Sequence, residues 1–431
     1  MNQKIIKKYV ILNVLTACLL LSVSCNNTDR EDPPSPQKEE PGNWCRTISE
    51  YTLTTDDIIV AISEAIPGIE LFSYFLSPYI CDINIARIEY YTTNQDGNTV
   101  KASGIVTYPA DMSEYSHILS IQHGTMNIDG GPTDQVFPVE AAPVFCGEMV
   151  VMADYLGYGV SKTKDLKHTY MHSQTTSAAC ADMILAARQY LKTKSNLECT
   201  ADSLRLIGYS QGGQATVATL FELQKRGLTD QISLVWSGAG PHDLLTYFKE
   251  SIKPENATRR KNAFILYAIE GIINGDRLNI DRHNIYASAM FENGKDSIFT
   301  KLCVKQWLDI IGDDITNVLH KDLLNLDCEK NADVRTLRDH MDTNSNVNIK
   351  NPLQYNIHIN FFHIEKDTYV PYRCSESACS KWKDNSELNK LTIAADHPAG
   401  GVEFLLNYMS TIDPSYKNLE FLIPLIGNVF N

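Results

Sequence analysis

Short apolar runs alternate with longer amphipathic stretches along most of the chain. Residues 83–93 (INIARIEYYTT) and 99–110 (TVKASGIVTYPA) are rich in β-branched and aromatic residues, the composition of strands. Asp96-Gly97 lies between them and predicts a hairpin. Residues 117–125 (HILSIQHGT), 148–161 (EMVVMADYLGYGVS), 203–210 (SLRLIGYS) and 232–240 (ISLVWSGAG) read as further strands, each ending in polar residues or glycine. Residues 170–193 predict a helix with small residues on one face. Residues 211–227 predict another, closed by Lys225, Arg226 and Gly227. Such alternation predicts an α/β fold with a mostly parallel sheet covered by helices on both faces.

The alternation fails in two places. Residues 45–80 read as an irregular or helical lead-in. Residues 241–355 look helical and polar, with no buried strand, and predict an inserted cap or lid. Strands resume at 356–364 (NIHINFFHI) and at LTIA (391–394), before a closing helix at 402–410. The core domain is therefore expected over 45–240 and 356–431.

The N-terminus reads differently again. Lys4, Lys7 and Lys8 precede an apolar run too short to span a bilayer comfortably, and the run ends at LSVSC. Residues 1–24 resemble a bacterial lipoprotein signal peptide, which implies a lipidated Cys25 and an exported protein anchored to a membrane of the cell envelope. Residues 25–44 are polar and proline-rich and read as a flexible tether. The 431 residues carry a net charge of −14, which argues against a nucleic-acid partner. Of 11 cysteines, nine remain once Cys18 and Cys25 are set aside, so at least one has no partner within the chain. Cys374 and Cys379 are close in sequence, but a helix there would hold them too far apart for a bridge. No CxxC pair or zinc-type Cys/His spacing occurs, and nothing implies a metal or cofactor.

One motif carries chemistry. Gly208-Tyr209-Ser210-Gln211-Gly212 is G-x-S-x-G, placed where a strand becomes a helix. The turn required there is so tight that side chains two positions before and after the serine would collide, hence the glycines. It pushes the serine hydroxyl out of the carboxyl edge of the sheet, where open α/β sheets bind ligands. The helix start that follows favours an oxyanion. A serine nucleophile needs a base, and the base a carboxylate. In this kind of fold the order is serine, acid, histidine. Asp367 falls in a loop after the strand INFF, and His397 in DHPAGG before the last helix. Glu365 is the rival carboxylate. Asp396, next to His397, is poorly placed to orient the ring. His123 is expected to support the loop after its strand, and Asp154, Gly157 and Gly159 to shape a turn. Arg259–Lys261 reads as a solvated cap face.

From about residue 83 onward the chain resembles an α/β-hydrolase. ADYLGYGVS, GYSQGG, DTYVP and DHPAGG together look like the secretory-lipase (lipase A-type) branch, although Ile364 stands where that branch has glycine in H-G-x-x-D. The resemblance implies Ser210 as nucleophile, Asp367 as acid and His397 as base. The oxyanion donors would be the backbone N–H of Gln211 and that of Thr125 or Gly124. The expectation is a serine carboxylic-ester hydrolase acting on a small-molecule or lipid ester. An aminopeptidase-like serine peptidase of the same fold and a non-catalytic binding protein are the alternatives, and the presence of all three triad residue types weighs against the second.

Overall fold

The computed structural model describes residues 38–424 apart from 66–68, 127–129, 164–166, 254–255, 257, 293–294, 296–298, 300–306 and 309. The expected signal peptide and Cys25 lie outside the described residues.

The chain runs through β1 (Trp44–Leu53), α1 (Thr55–Ala65), β2 (Ile83–Thr93), β3 (Thr99–Pro109), β4 (Glu114–Gln122) and β5 (Val150–Ala153). Next come α2 (Ser173–Leu191), β6 (Glu198–Tyr209), α3 (Gln211–Lys225), β7 (Ile232–Gly238), α4 (Leu244–Ser251), α5 (Arg259–Gly275) and α6 (Ala332–Asn344). The chain closes with β8 (Ile359–Ile364), α7 (Arg373–Lys381), β9 (Ser386–Leu391) and α8 (His397–Ile412). Only helices of eight or more residues are numbered. The strands form one nine-stranded sheet in the order β1-β2-β3-β5-β4-β6-β7-β8-β9. Pairing is antiparallel from β1 to β5 and parallel from β5 to β9.

The hairpin forms as the turn residues predict. Thr93 faces Thr99 at its closed end, Gly97 takes φ +78°, and Asn94 Oδ1 accepts from the N–H groups of Asp96 and Asn98. Alternation along the strands sends side chains to two cores. Ile118, Leu204 and Leu206 join α2, α3 and α7 on one face, whereas Leu119, Ile121 and Ile207 join α1 and α8 on the other. α2 lies close to the sheet where Gly104 of β3 leaves room for it: a Cβ on Gly104 would fall 2.6 Å from Met183 Sδ.

Three expectations need correction. The lead-in over 45–80 contains β1, an edge strand antiparallel to β2. Only Trp44 and Leu53 at its ends are buried, so the segment never shows the apolar alternation of a covered strand. Order also begins before residue 45, since Gly42 N–H donates to Tyr91 O and Tyr91 N–H to Asn43 O. Finally, LTIA is mostly loop. β9 ends at Leu391, and the N–H groups of Thr392, Ile393 and Ala394 donate to the buried Glu403 carboxylate.

Between β7 and β8 no sheet strand occurs among the described residues. That segment packs α4, α5 and α6 around its own apolar cluster, which Tyr170 and Met171 join from outside it. Asp276 ties it to the rest by accepting from His172 Nε2 at 3.2 Å, and within the segment it accepts from Asn344 Nδ2 at 2.9 Å. Cys374 and Cys379 both lie in the unbroken α7, and every described cysteine is free. Among the described residues no helix is long and apolar enough to cross a membrane.

Candidate active site

β6 delivers Tyr209 to the carboxyl edge of the sheet, and α3 begins at Gln211. Ser210 between them takes φ 59° and ψ −123°, a conformation that costs on the order of 1–3 kcal/mol and clusters at functional sites. The flanking glycines are there for space. A Cβ on Gly208 would sit 2.4 Å from Gly212 O, and one on Gly212 would sit 1.9 Å from Gln122 O. Gly212→Ala is therefore expected to cost about 3 kcal/mol or more, read as a large fall in thermal midpoint. An alanine variant of native stability would contradict this account of the turn.

The structure brings Ser210, Asp367 and His397 together. His397 Nε2 lies 2.8 Å from Ser210 Oγ, and His397 Nδ1 lies 2.7 Å from Asp367 Oδ2. His397 is the first residue of α8, with Asp396 as its N-cap. This explains Asp396: its carboxylate accepts from Ala399 N–H and leaves the imidazole to Asp367. Asp367 has no exposed side-chain surface. Its other oxygen accepts from the N–H groups of Tyr369 and Val370, both at 2.8 Å. Burial pushes its carboxyl up, but attraction to His397 and hydrogen bonds from His363 and His397 outweigh that and hold it well below the usual carboxylate range. Asp367 is thus an anion fixed against Nδ1, leaving Nε2 to face the serine. Glu365 is exposed and meets Lys390 Nζ at 3.2 Å.

His363 is the histidine of the H-G-x-x-D pattern, and the sequence assigned it no role. It is fully buried. Its Nε2–H donates to Val370 O at 3.0 Å and lies 3.5 Å from Asp367 Oδ2, while Nδ1 takes the Ser375 hydroxyl at 2.7 Å. It therefore pins the Asp367 loop from beneath. The signal for it was its place in that pattern, four residues before Asp367.

The two expected oxyanion donors flank the serine. Gln211 is the first residue of α3, a position whose N–H has no acceptor within the helix. Its side-chain amide donates to His168 Nε2 at 3.1 Å, and His168 Nδ1 in turn donates to Leu156 O at 3.0 Å. Burial pushes His168 down to about 3, so the ring stays neutral and keeps that tautomer. Across from it, a Cβ on Gly124 would stand 4.0 Å from Ser210 Cβ, which sets Gly124 and Thr125 beside the serine. The Thr125 hydroxyl pairs with Tyr170 Oη at 2.6 Å. His123 steadies this loop by donating from Nδ1 to Gly124 O at 2.7 Å and stacking on Tyr155.

Asp154 accepts from Ser103, Thr133 and a backbone N–H, and shapes the turn after β5. A cavity of about 500 Å³ opens over Ser210 and His397. Tyr247, Arg260 and Phe264 of the 241–355 segment line it. Arg260 is therefore not on a solvated face as expected: its guanidinium reaches Tyr369 Oη at 3.3 Å, and the Tyr369 ring stands edge-on to His397. Among the described residues no group of three or more His, Cys, Asp or Glu side chains is placed to hold a metal ion.

The sheet order, the strained serine turn and the helices on both faces define the α/β-hydrolase fold. Known structures share it. The rice cell wall degrading esterase LipA of Xanthomonas oryzae superposes with a TM-score of 0.65 at 19% identity, over 86% of this chain and 96% of that one. A protein of Legionella pneumophila gives 0.65 at 19% identity, over 86% and 98%. Closed Candida antarctica lipase A gives 0.59 at 15% identity, over 90% and 86%. No protein-family model and no curated protein matches the chain.

Proposed function

We propose that the protein is a serine carboxylic-ester hydrolase. The observation that carries this reading is the continuous hydrogen-bonded line from Asp367 through His397 to Ser210, at 2.7 and 2.8 Å, under a largely apolar cavity. His397 Nε2 takes the Ser210 proton as Oγ attacks the ester carbonyl. The N–H groups of Gln211 and Thr125 receive the oxyanion, since that of Gly124 is taken by the Glu140 carboxyl. His397 then returns the proton to the departing alcohol, and water, activated by the same imidazole, releases the acid from the acyl-enzyme. Fold kinship with the Xanthomonas esterase and the Candida lipase supports ester chemistry over the peptidase alternative. An assay of short p-nitrophenyl esters beside aminoacyl anilides tests this. Turnover of the esters is expected, whereas turnover of the anilides alone would reverse the reading.

The 241–355 segment acts as a cap that shapes the substrate pocket, supported by the cavity side chains it contributes. Asp276, Asp281, His283 and His320 belong to it, and none of them lines the cavity. Alanine at Asp281, His283 or His320 should leave p-nitrophenyl acetate turnover within about threefold. Asp276→Ala should instead lower thermal stability, because it leaves His172 Nε2–H without an acceptor and removes one of the two acceptors of Asn344 Nδ2. Loss of turnover comparable to that of Ser210→Ala, in a folded variant at any of the four, would put the cap inside the catalytic machinery. Lipidation at Cys25 would hold the enzyme at the face of an envelope membrane.

A further inference from the structure

The cavity wall is uneven. Phe264, Val370, Val402, Phe404 and Leu405 make much of it apolar, yet Glu140 lines it too. Glu140 is close to the serine. A Cβ placed on Gly124 would have Glu140 Oε1 at 3.9 Å and Ser210 Cβ at 4.0 Å. Glu140 is half-buried, and the loss of water around its carboxyl pushes its affinity for the proton up against hydrogen bonds from its own N–H and that of Gly124. Among the described residues no lysine, arginine or histidine offsets it. A carboxyl group in an apolar enclosure is costly unless something completes its hydrogen bonding. Binding cavities keep a few such groups to orient what enters. The departing alcohol collects its proton from His397, whose ring meets Asp367, Ser210, Tyr209 and Tyr369, whereas Glu140 meets the Gly124 loop.

We propose that Glu140 is a specificity-determining residue that accepts a hydrogen bond from the substrate, so that the site favours esters whose acyl part carries a hydroxyl or ammonium donor near the scissile carbonyl. The inference rests on the ester-hydrolase reading. Hydroxyl and ammonium share the chemistry that Glu140 would recognise, and substrates separate them.

The test compares kcat/KM for p-nitrophenyl butanoate, 3-hydroxybutanoate and 3-aminobutanoate in the wild type, Glu140→Gln and Glu140→Leu. The wild type should favour at least one donor-bearing ester over butanoate by about tenfold or more, as a hydrogen bond to a charged group allows. Glu140→Leu should bring that ratio to about one. Glu140→Gln keeps an acceptor for Gly124 and serves if the leucine variant does not fold. It should abolish a preference for ammonium and retain part of one for hydroxyl. A wild type without preference overturns the inference. So does a Glu140 variant that slows all three esters by the same factor, since the carboxylate would then only hold the Gly124 loop. A wild type that cleaves none of the three, nor p-nitrophenyl acetate, fails the ester-hydrolase reading itself.

Discussion

Ser210→Ala is expected to fold as the wild type does and to lose at least ~10³ of kcat toward esters, because triad members act as a unit. The substitution removes only Oγ. The strained backbone at Ser210 stays, held by Ser210 N–H donating to Gly238 O at 2.9 Å and by the glycines around it. Neither core loses an apolar contact, so the thermal midpoint should stay within a few degrees of wild type. Residual activity above the water rate would come from the oxyanion donors and substrate binding. An alanine variant that kept more than a tenth of the wild-type kcat would remove Ser210 from the mechanism.

The second large effect concerns the carboxylate. Asp367→Asn puts an amide where an anion met His397 Nδ1 at 2.7 Å. Its carbonyl oxygen can still accept from Tyr369 and Val370, so the amide's NH₂ faces the imidazole and favours the tautomer with hydrogen on Nε2. That nitrogen can then no longer take the serine proton, and kcat should fall by up to ~10⁴. Glu365→Gln should cost less than about threefold, because Glu365 is exposed and reaches only Lys390. Measuring kcat for both variants on one ester checks the ranking, and the reverse order would show that the imidazole takes its charge from elsewhere.

The serine turn was the most legible feature of the chain. The spacing of Gly208 and Gly212 encodes a steric demand that the structure expresses as carbonyl oxygens 2.4 and 1.9 Å from the missing Cβ positions. Asp367 and His397 were legible because chain order in this fold restricts which loops reach the serine. β1 was hidden because an edge strand is chosen by its partner β2 rather than by its own apolar alternation. LTIA misled for the opposite reason: its apolar residues look like strand, but Glu403 on α8 captures their N–H groups and bends them into a loop. Arg260 and Glu140 could not be placed on the cavity wall from sequence, since nothing local says which residues of a cap or connecting loop face inward.

The most direct test of the central claim is intact mass followed by a peptide map after reaction with a serine-reactive phosphonate. One adduct per chain is expected, on the peptide bearing Ser210, and none in Ser210→Ala. The best decoy is Ser237, whose hydroxyl lies 3.1 Å from His242 Nε2. That pair is fully buried, its histidine is paired with Asn346 rather than a carboxylate, and burial pushes the ring down to about 3. An adduct at Ser237, at any other residue, or at none while ester hydrolysis proceeds, would contradict the assignment of Ser210 as the nucleophile.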